Sequence, residues 1–187
     1  MGWSIRLGVA IALSLALTAC GEPAWMDPAK AGARPEPPFR LAGEPPPVEK
    51  KIPTSADSVP APPAWAAGLI GKTLAEAYPG EGACMGNTDS VILTYQGATP
   101  GAKVLGWGWD PVAKHRIDRV VLLDGERRIV SAGEGGVARP DVAKAKADVT
   151  DRNTGWSADV PKVTGIFDSY GVLADGVSTC VLGRIVL

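Results

Sequence analysis

The sequence predicts a mainly β fold for residues 64–187, an antiparallel sandwich or barrel carrying one or two short helices. Three observations predict it. Short β-branched and aromatic runs recur with turn signals about every ten residues. Two Asp-Gly pairs, Asp124-Gly125 and Asp175-Gly176, each sit between apolar runs, as in hairpins whose central residues need positive φ. A single interruption of these runs, Pro140–Ala147, carries helix signals.

Taken in order, Leu69–Tyr78 ("LIGKTLAEAY") reads as a short helix stopped by Pro79, or as a loop leading in. Ser90–Gly97 ("SVILTYQG") and Lys103–Asp110 ("KVLGWGWD") read as strands bounded by Gly, Pro and Asp. "IDRVVLL" and "ERRIVSAG" flank the first Asp-Gly pair, "FDSYGVLA" and "VSTCVLGRIVL" the second. Pro140–Ala147 ("PDVAKAKA") interrupts the strands. Proline suits the first helical position, Asp141 suits the first turn, and the alanines alternate with lysines, so a helix of one or two turns is expected there.

With 187 residues, 45% hydrophobic and 21% charged, the chain suits one globular domain with appendages. Residues 64–187 hold 13 basic and 14 acidic side chains. No cationic stripe exists to neutralise a phosphate backbone, which argues against a nucleic-acid partner.

The amino terminus is of another physical kind. Leu7–Leu17 ("LGVAIALSLAL") is eleven apolar or small residues behind the single positive charge of Arg6. At about 1.5 Å per residue it covers roughly half of a 30 Å hydrocarbon core, so it reads as a secretory signal peptide over residues 1–19. From Gly21 to Pro63, clusters such as "RPEPPF" and "GEPPPVEK" make residues 20–63 read as a disordered, Pro-rich tether with polyproline II character. A spacer is the simple role for it; binding a partner or threading cell-wall polymer is the alternative.

The tetrapeptide Leu17-Thr18-Ala19-Cys20 at the end of the apolar run resembles the lipobox of bacterial lipoproteins. The resemblance implies a diacylglyceryl thioether at Cys20, cleavage before it, and acylation of the new amine by a chain such as palmitate. Several chains together hold a protein firmly in a lipid bilayer, whereas one does not. Gly21, in place of the aspartate that retains enterobacterial lipoproteins in the inner membrane, implies the outer membrane, facing the periplasm, where the source has two membranes. With Cys20 lipidated, Cys84 and Cys180 remain as an even pair in an oxidising compartment, and a disulfide between them is expected. A reactive or metal-binding thiol pair with His115, the only histidine, is the alternative, although no close zinc-ligand spacing occurs.

Further along, "GWGWDP", "VVLLDG", "ARPDVAKA", "TGW" and a final "DG…C.L" together resemble extracytoplasmic β-sandwich modules of uncharacterised bacterial envelope proteins, over roughly Val104–Leu182. The resemblance implies a fold and a compartment and carries no catalytic residue.

Trp107 and Trp109 lie two apart on a strand, so their rings share one face and Gly106 and Gly108 share the other. Buried, the rings are core; exposed, they are a stacking platform for a glycan. Trp156 reads as core. Arg139 and Asp141 are candidates for a recognition loop, or, structurally, Asp141 stabilises the helix start and Arg139 pairs with Asp110 or another strand-end carboxylate. Asp148, Asp151 and Asn153 offer oxygens without a calcium-loop spacing, so no metal is expected. No nucleophile elbow, phosphate loop or other cofactor signature occurs, and His115 between Lys114 and Arg116 reads as an exposed turn residue. The expected function is that of an envelope-anchored interaction module for a protein or glycan. A carboxylate-dependent envelope hydrolase and a purely structural spacer are the alternatives.

Overall fold

The structure, a computed structural model, describes residues 51–187. The expected leader (1–19), Cys20, Gly21 and the tether through residue 50 lie outside the described residues. The fold is mainly β. Its elements are β1 (Thr54–Ser55), a 3-10 turn (Ala64–Ala66), α1 (Leu74–Ala77), β2 (Gly80–Glu81), β3 (Met85–Tyr95), β4 (Gly101–Asp110), β5 (His115–Arg116), β6 (Arg119–Leu123), β7 (Ile129–Val137), α2 (Pro140–Ala145), β8 (Gly155–Val160), β9 (Ile166–Val172) and β10 (Ser178–Val186). Together the strands form one sheet in the order β1-β3-β4-β8-β7-β6-β9-β10-β2, with β5 beside β4.

All ladders between the long strands are antiparallel; only the two-residue strands β1 and β2 pair in parallel. Seven long strands alternate in direction from β3 to β10, so the two end strands run the same way. They meet along a seam that no ladder pairs. The Cys84–Cys180 disulfide, with a Cα separation of 5.8 Å, ties it at one level, and the Thr88 hydroxyl, which donates to Leu182 O of β10 at 3.5 Å, ties it at another. Bulges at Thr88/Ser90 and Val91/Leu93 in β3, and at Val181/Gly183 in β10, break the register of both edges beside the seam. Such kinks blunt an edge against further pairing.

The concave face of the curled sheet holds the main core: Val104, Ile117, Val120, Leu122, Trp156, Ala158, Val160, Phe167 and Leu182. Trp156 sits between Gly106 on β4 and Gly135 on β7, its direct ladder partners. A wide indole is accommodated because neither neighbour has a side chain; a methyl at Gly106 would run into the Trp156 ring and the Asn87 carbonyl. Ile117, just after β5, is fully buried where Gly108 and Gly171 leave room for it. The glycines of "GWGWD" and "GEGG" thus set the inner width of the fold.

On the convex face a second core joins Ala66, Leu74 and Tyr78 to Val121, Leu123, Ile129, Ala132 and Val172. Covering both faces of β6 explains why "VVLL" is an unbroken apolar run and not an alternating one. Residues 53–82 form this cover. They hydrogen-bond the β3–β4 hairpin (Thr94 N to Pro53 O, 3.0 Å; Val59 N to Thr99 O, 2.8 Å), then the start of β7 (Gly71 N to Ile129 O, 2.8 Å), then the free edge of β10 (Gly82 N to Thr179 O, 2.9 Å). The chain therefore joins the sheet before Ala64, the boundary expected from sequence: residues 53–63 serve as a strap, held through Val59 N and through carbonyl acceptors such as Pro53 O, which proline retains.

Thr73 caps α1, accepting from Glu76 N while the Glu76 carboxylate accepts from Thr73 N at 2.7 Å. Neither Asp-Gly hairpin is the expected two-residue turn. In β6–β7 the left-handed residue is Arg127 (φ 60°), not Gly125, and Asp124 Oδ1 accepts from Glu126 N and Arg128 N, both at 3.0 Å. In β9–β10 Gly176 (φ 73°) takes the same place, with Asp175 Oδ1 accepting from Val177 N and Ser178 N. Each is a turn followed by one left-handed residue, which twists strands as well as the shorter loop does.

Candidate functional site

The strands give the domain two ends. The apical end holds the turn after β4, α2 and the β9–β10 hairpin. The basal end holds the β3–β4 and β6–β7 hairpins, the β8–β9 loop and Leu187. The four sequence candidates, Trp107, Trp109, Arg139 and Asp141, come together on the convex face near the apical end.

Trp107 and Trp109 share that face, as their spacing requires, while Gly106 and Gly108 point inward. Val142 of α2 and Val149 beyond it close over Trp109, which is only 2% exposed, and Met85 and Trp107 pack beside them. Trp109 is thus part of a small core and has no open ring face to stack on a sugar. A cleft of about 330 Å³ remains alongside, lined by Met85, Trp109, Pro111, Lys114 and Asp148.

Arg139 joins α2 to β3. Its Nε donates to Asp141 Oδ1 at 2.9 Å, its Nη2 to Asp141 Oδ2 at 2.7 Å, and its Nη1 to Asp89. Asn87 Nδ2 donates to the other Asp89 oxygen at 2.9 Å. The guanidinium is held charged, its pKa raised by the Asp141 and Asp89 carboxylates against the opposing effect of burial. The same contact lowers the pKa of Asp141. With its donors committed, Arg139 serves as a clamp. Its long-range partner is Asp89, fifty residues away, and not Asp110. Asp110 is buried and accepts from Val112 N (2.9 Å), Ala113 N (3.0 Å) and Ala174 N (3.4 Å), fastening two apical turns.

His115 is exposed, as expected, with Nδ1 2.8 Å from Arg116 O and 3.6 Å from Asp118. It lines an apical cleft of about 470 Å³ with Arg116, Asp118, Arg119 and Leu173. Arg116 is paired with Asp118 and Asp151, and Arg119 stacks on the Trp65 ring 5.3 Å from its centroid. Asp151 accepts from Arg116 Nη1 at 3.3 Å and from Asn153 N at 2.8 Å. Among the described residues no group of three or more His, Cys, Asp or Glu side chains could hold a metal ion. Cys84 and Cys180 are joined to each other, so they form no thiol site with His115.

Carboxylates line other clefts but are mostly engaged. In the cleft of about 400 Å³ beneath Ala61–Ala64, Asp159 accepts from the Tyr95 hydroxyl at 2.8 Å and pairs with Lys103 at 3.5 Å, leaving Glu134. The carboxylate pKa shifts resolved among the described residues, at Glu76, Asp141, Asp168 and Asp175, all run downward. A general acid needs the opposite shift.

Among the described residues no helix is long and apolar enough to cross a membrane. Comparison with known proteins finds no matching family model, no matching curated protein and no matching solved structure.

Proposed function

We propose that this protein is a lipid-anchored envelope lipoprotein whose β domain is an interaction module for a protein or glycan of the cell envelope. The observation that carries the reading is Cys20, three residues past the end of an eleven-residue apolar run, in a lipobox-like Leu-Thr-Ala-Cys. The Cys84–Cys180 disulfide supports it, since such a bond persists outside the reducing cytosol. Two or more acyl chains at Cys20 would hold the bilayer, and the Pro-rich segment would give the domain reach. Gly21 favours the outer membrane where two exist.

Binding is favoured over hydrolysis by the state of the clamped carboxylates. Asp141, Asp168 and Asp175 are spent on ion pairs and a turn cap, and their lowered pKa values leave them ionised at neutral pH. The apical clefts beside Trp109 and Arg116 are where a partner would meet fixed side chains. The test is pull-down from envelope extract with the lipidated protein under oxidising conditions. A partner that is retained by wild type and lost on Lys114→Glu/Asp118→Lys supports the reading; retention of no protein or glycan by the wild type overturns it.

A further inference from the structure

The exposed aliphatic side chains are distributed unevenly between the two ends. Of the nine large hydrophobic residues exposed among the described residues, Ile52, Ile70, Val163, Ile166 and Val186 lie at the basal end. Two of them adjoin: Ile166 and Val186 are direct ladder partners on the convex face, and Val163 lies two residues before Gly165, whose backbone pairs with Leu187. Val186 is 69% exposed, and among the described residues no element covers it as others cover β6 and β4. Scattered single aliphatics are ordinary on a surface, but an adjoining group is not.

Cations accompany them. Lys51, Lys72, Arg127 and Lys162 are exposed at this end and have no carboxylate within ion-pair distance among the described residues. Arg184 is held by Asp168, and Asp124 is spent on the hairpin turn. The chain also enters the domain here: Pro53 O is bonded to Thr94 N, so the 32 residues that separate Cys20 from Pro53 connect at the basal end.

We propose that the basal end is a membrane-docking face, in which Val163, Ile166 and Val186 enter the headgroup region of a bilayer while Lys72, Arg127 and Lys162 meet anionic headgroups. The inference deepens the anchored reading and rests on it for placing a bilayer within reach. Aliphatic side chains beside uncommitted cations are the composition that interfacial binding requires, since burial of the first and attraction of the second add. Docking would orient the domain, directing the apical clefts and α2 away from the lipid and towards a partner.

The probe is vesicles of phosphatidylcholine and phosphatidylglycerol, against vesicles of phosphatidylcholine alone. The protein is the mature chain from residue 20 carrying Cys20→Ser, so that no acyl chain contributes. Cosedimentation at low salt is expected with the anionic vesicles. Val163→Ser/Ile166→Ser/Val186→Ser should weaken it about tenfold or more, and Lys72→Glu/Lys162→Glu should weaken it on anionic vesicles only. Val112→Ser/Val177→Ser, which alters the apical end, should leave it within about twofold, and unchanged thermal unfolding of all three variants would exclude misfolding as the cause. Failure of the parent chain to bind, or equal binding by the basal triple variant, overturns the docking face. Either outcome leaves the acyl anchor untouched, because that is read separately from the mass of Cys20.

Discussion

Cys84, one residue before β3, is bonded to Cys180 on β10, and so closes a loop of 96 residues across the one unpaired junction between long strands. Every other neighbour in the sheet is held by a ladder; these two edges are held by side chains. Chain-entropy reasoning gives such a loop somewhat over 4 kcal/mol as an upper figure. Cys84→Ala/Cys180→Ala should therefore lower the unfolding free energy by about 3–4 kcal/mol, and the native chain should gain about 2 Da on reduction after denaturation. Urea unfolding with and without reductant checks the first; an unchanged midpoint would show that the seam needs no covalent tie.

The Trp156 ring has glycine on both sides in the ladder, and a side chain at Gly106 meets both the ring and backbone. Gly106→Ala should cost about 1–3 kcal/mol through overpacking. Gly125→Ala, where a methyl meets nothing and φ is not positive, should change stability by less than about 0.5 kcal/mol. Denaturant titrations of the two variants side by side check the contrast.

The two hairpins supply a matched pair of opposite sign. Arg127 occupies a left-handed position that glycine fills at Gly176. Arg127→Gly should stabilise the domain by about 0.5–1 kcal/mol, and Gly176→Ala should destabilise it by about as much. Thermal unfolding of each variant decides it.

Stability should depend on pH at both extremes. Asp168 is held below its usual value of 3.8 chiefly by the hydrogen bond from Arg184, Asp141 by that from Arg139, and Asp175 by hydrogen bonds from Ser178 and Val177. A depressed folded pKa means that the unfolded chain binds protons first. This contribution is complete above the unfolded pKa and is lost as pH falls through the lowered values, below about pH 4. Tyr95 behaves in the opposite sense. Burial, then its bond to Asp159, pushes the phenol up to about 12 from 10.0, so its contribution is complete below pH 10 and lost as pH rises towards 12. Unfolding free energies measured from pH 2 to 12 should be flat between these limits, and Asp168→Asn should flatten the acid side.

What the sequence made legible is local. The strand runs, the helix over "PDVAKAKA" and the common face of Trp107 and Trp109 each follow from spacing over a few residues. What it hid depends on pairs distant in the chain. Nothing near Arg139 points to Asp89, and nothing in "GWGWD" tells that Val142 and Val149 will cover Trp109. The strap over residues 53–63 was masked by its prolines, because its anchoring uses carbonyl oxygens and the edges of other strands. In the hairpins, Asp-Gly marked both turns, but the left-handed residue is the glycine only at Gly176; after Asp124, whose carboxylate binds amides as far as Arg128, it falls downstream at Arg127.

The central claim is that acyl chains at Cys20 tether the domain outside the cytoplasm. Intact-mass and amino-terminal peptide spectrometry of the mature protein, extracted from membranes by detergent, tests it most directly. The expected product begins at Cys20 and carries a diacylglyceryl group with a further acyl chain on the amine. A first residue free of lipid, or a chain that still bears Met1–Ala19, would contradict it.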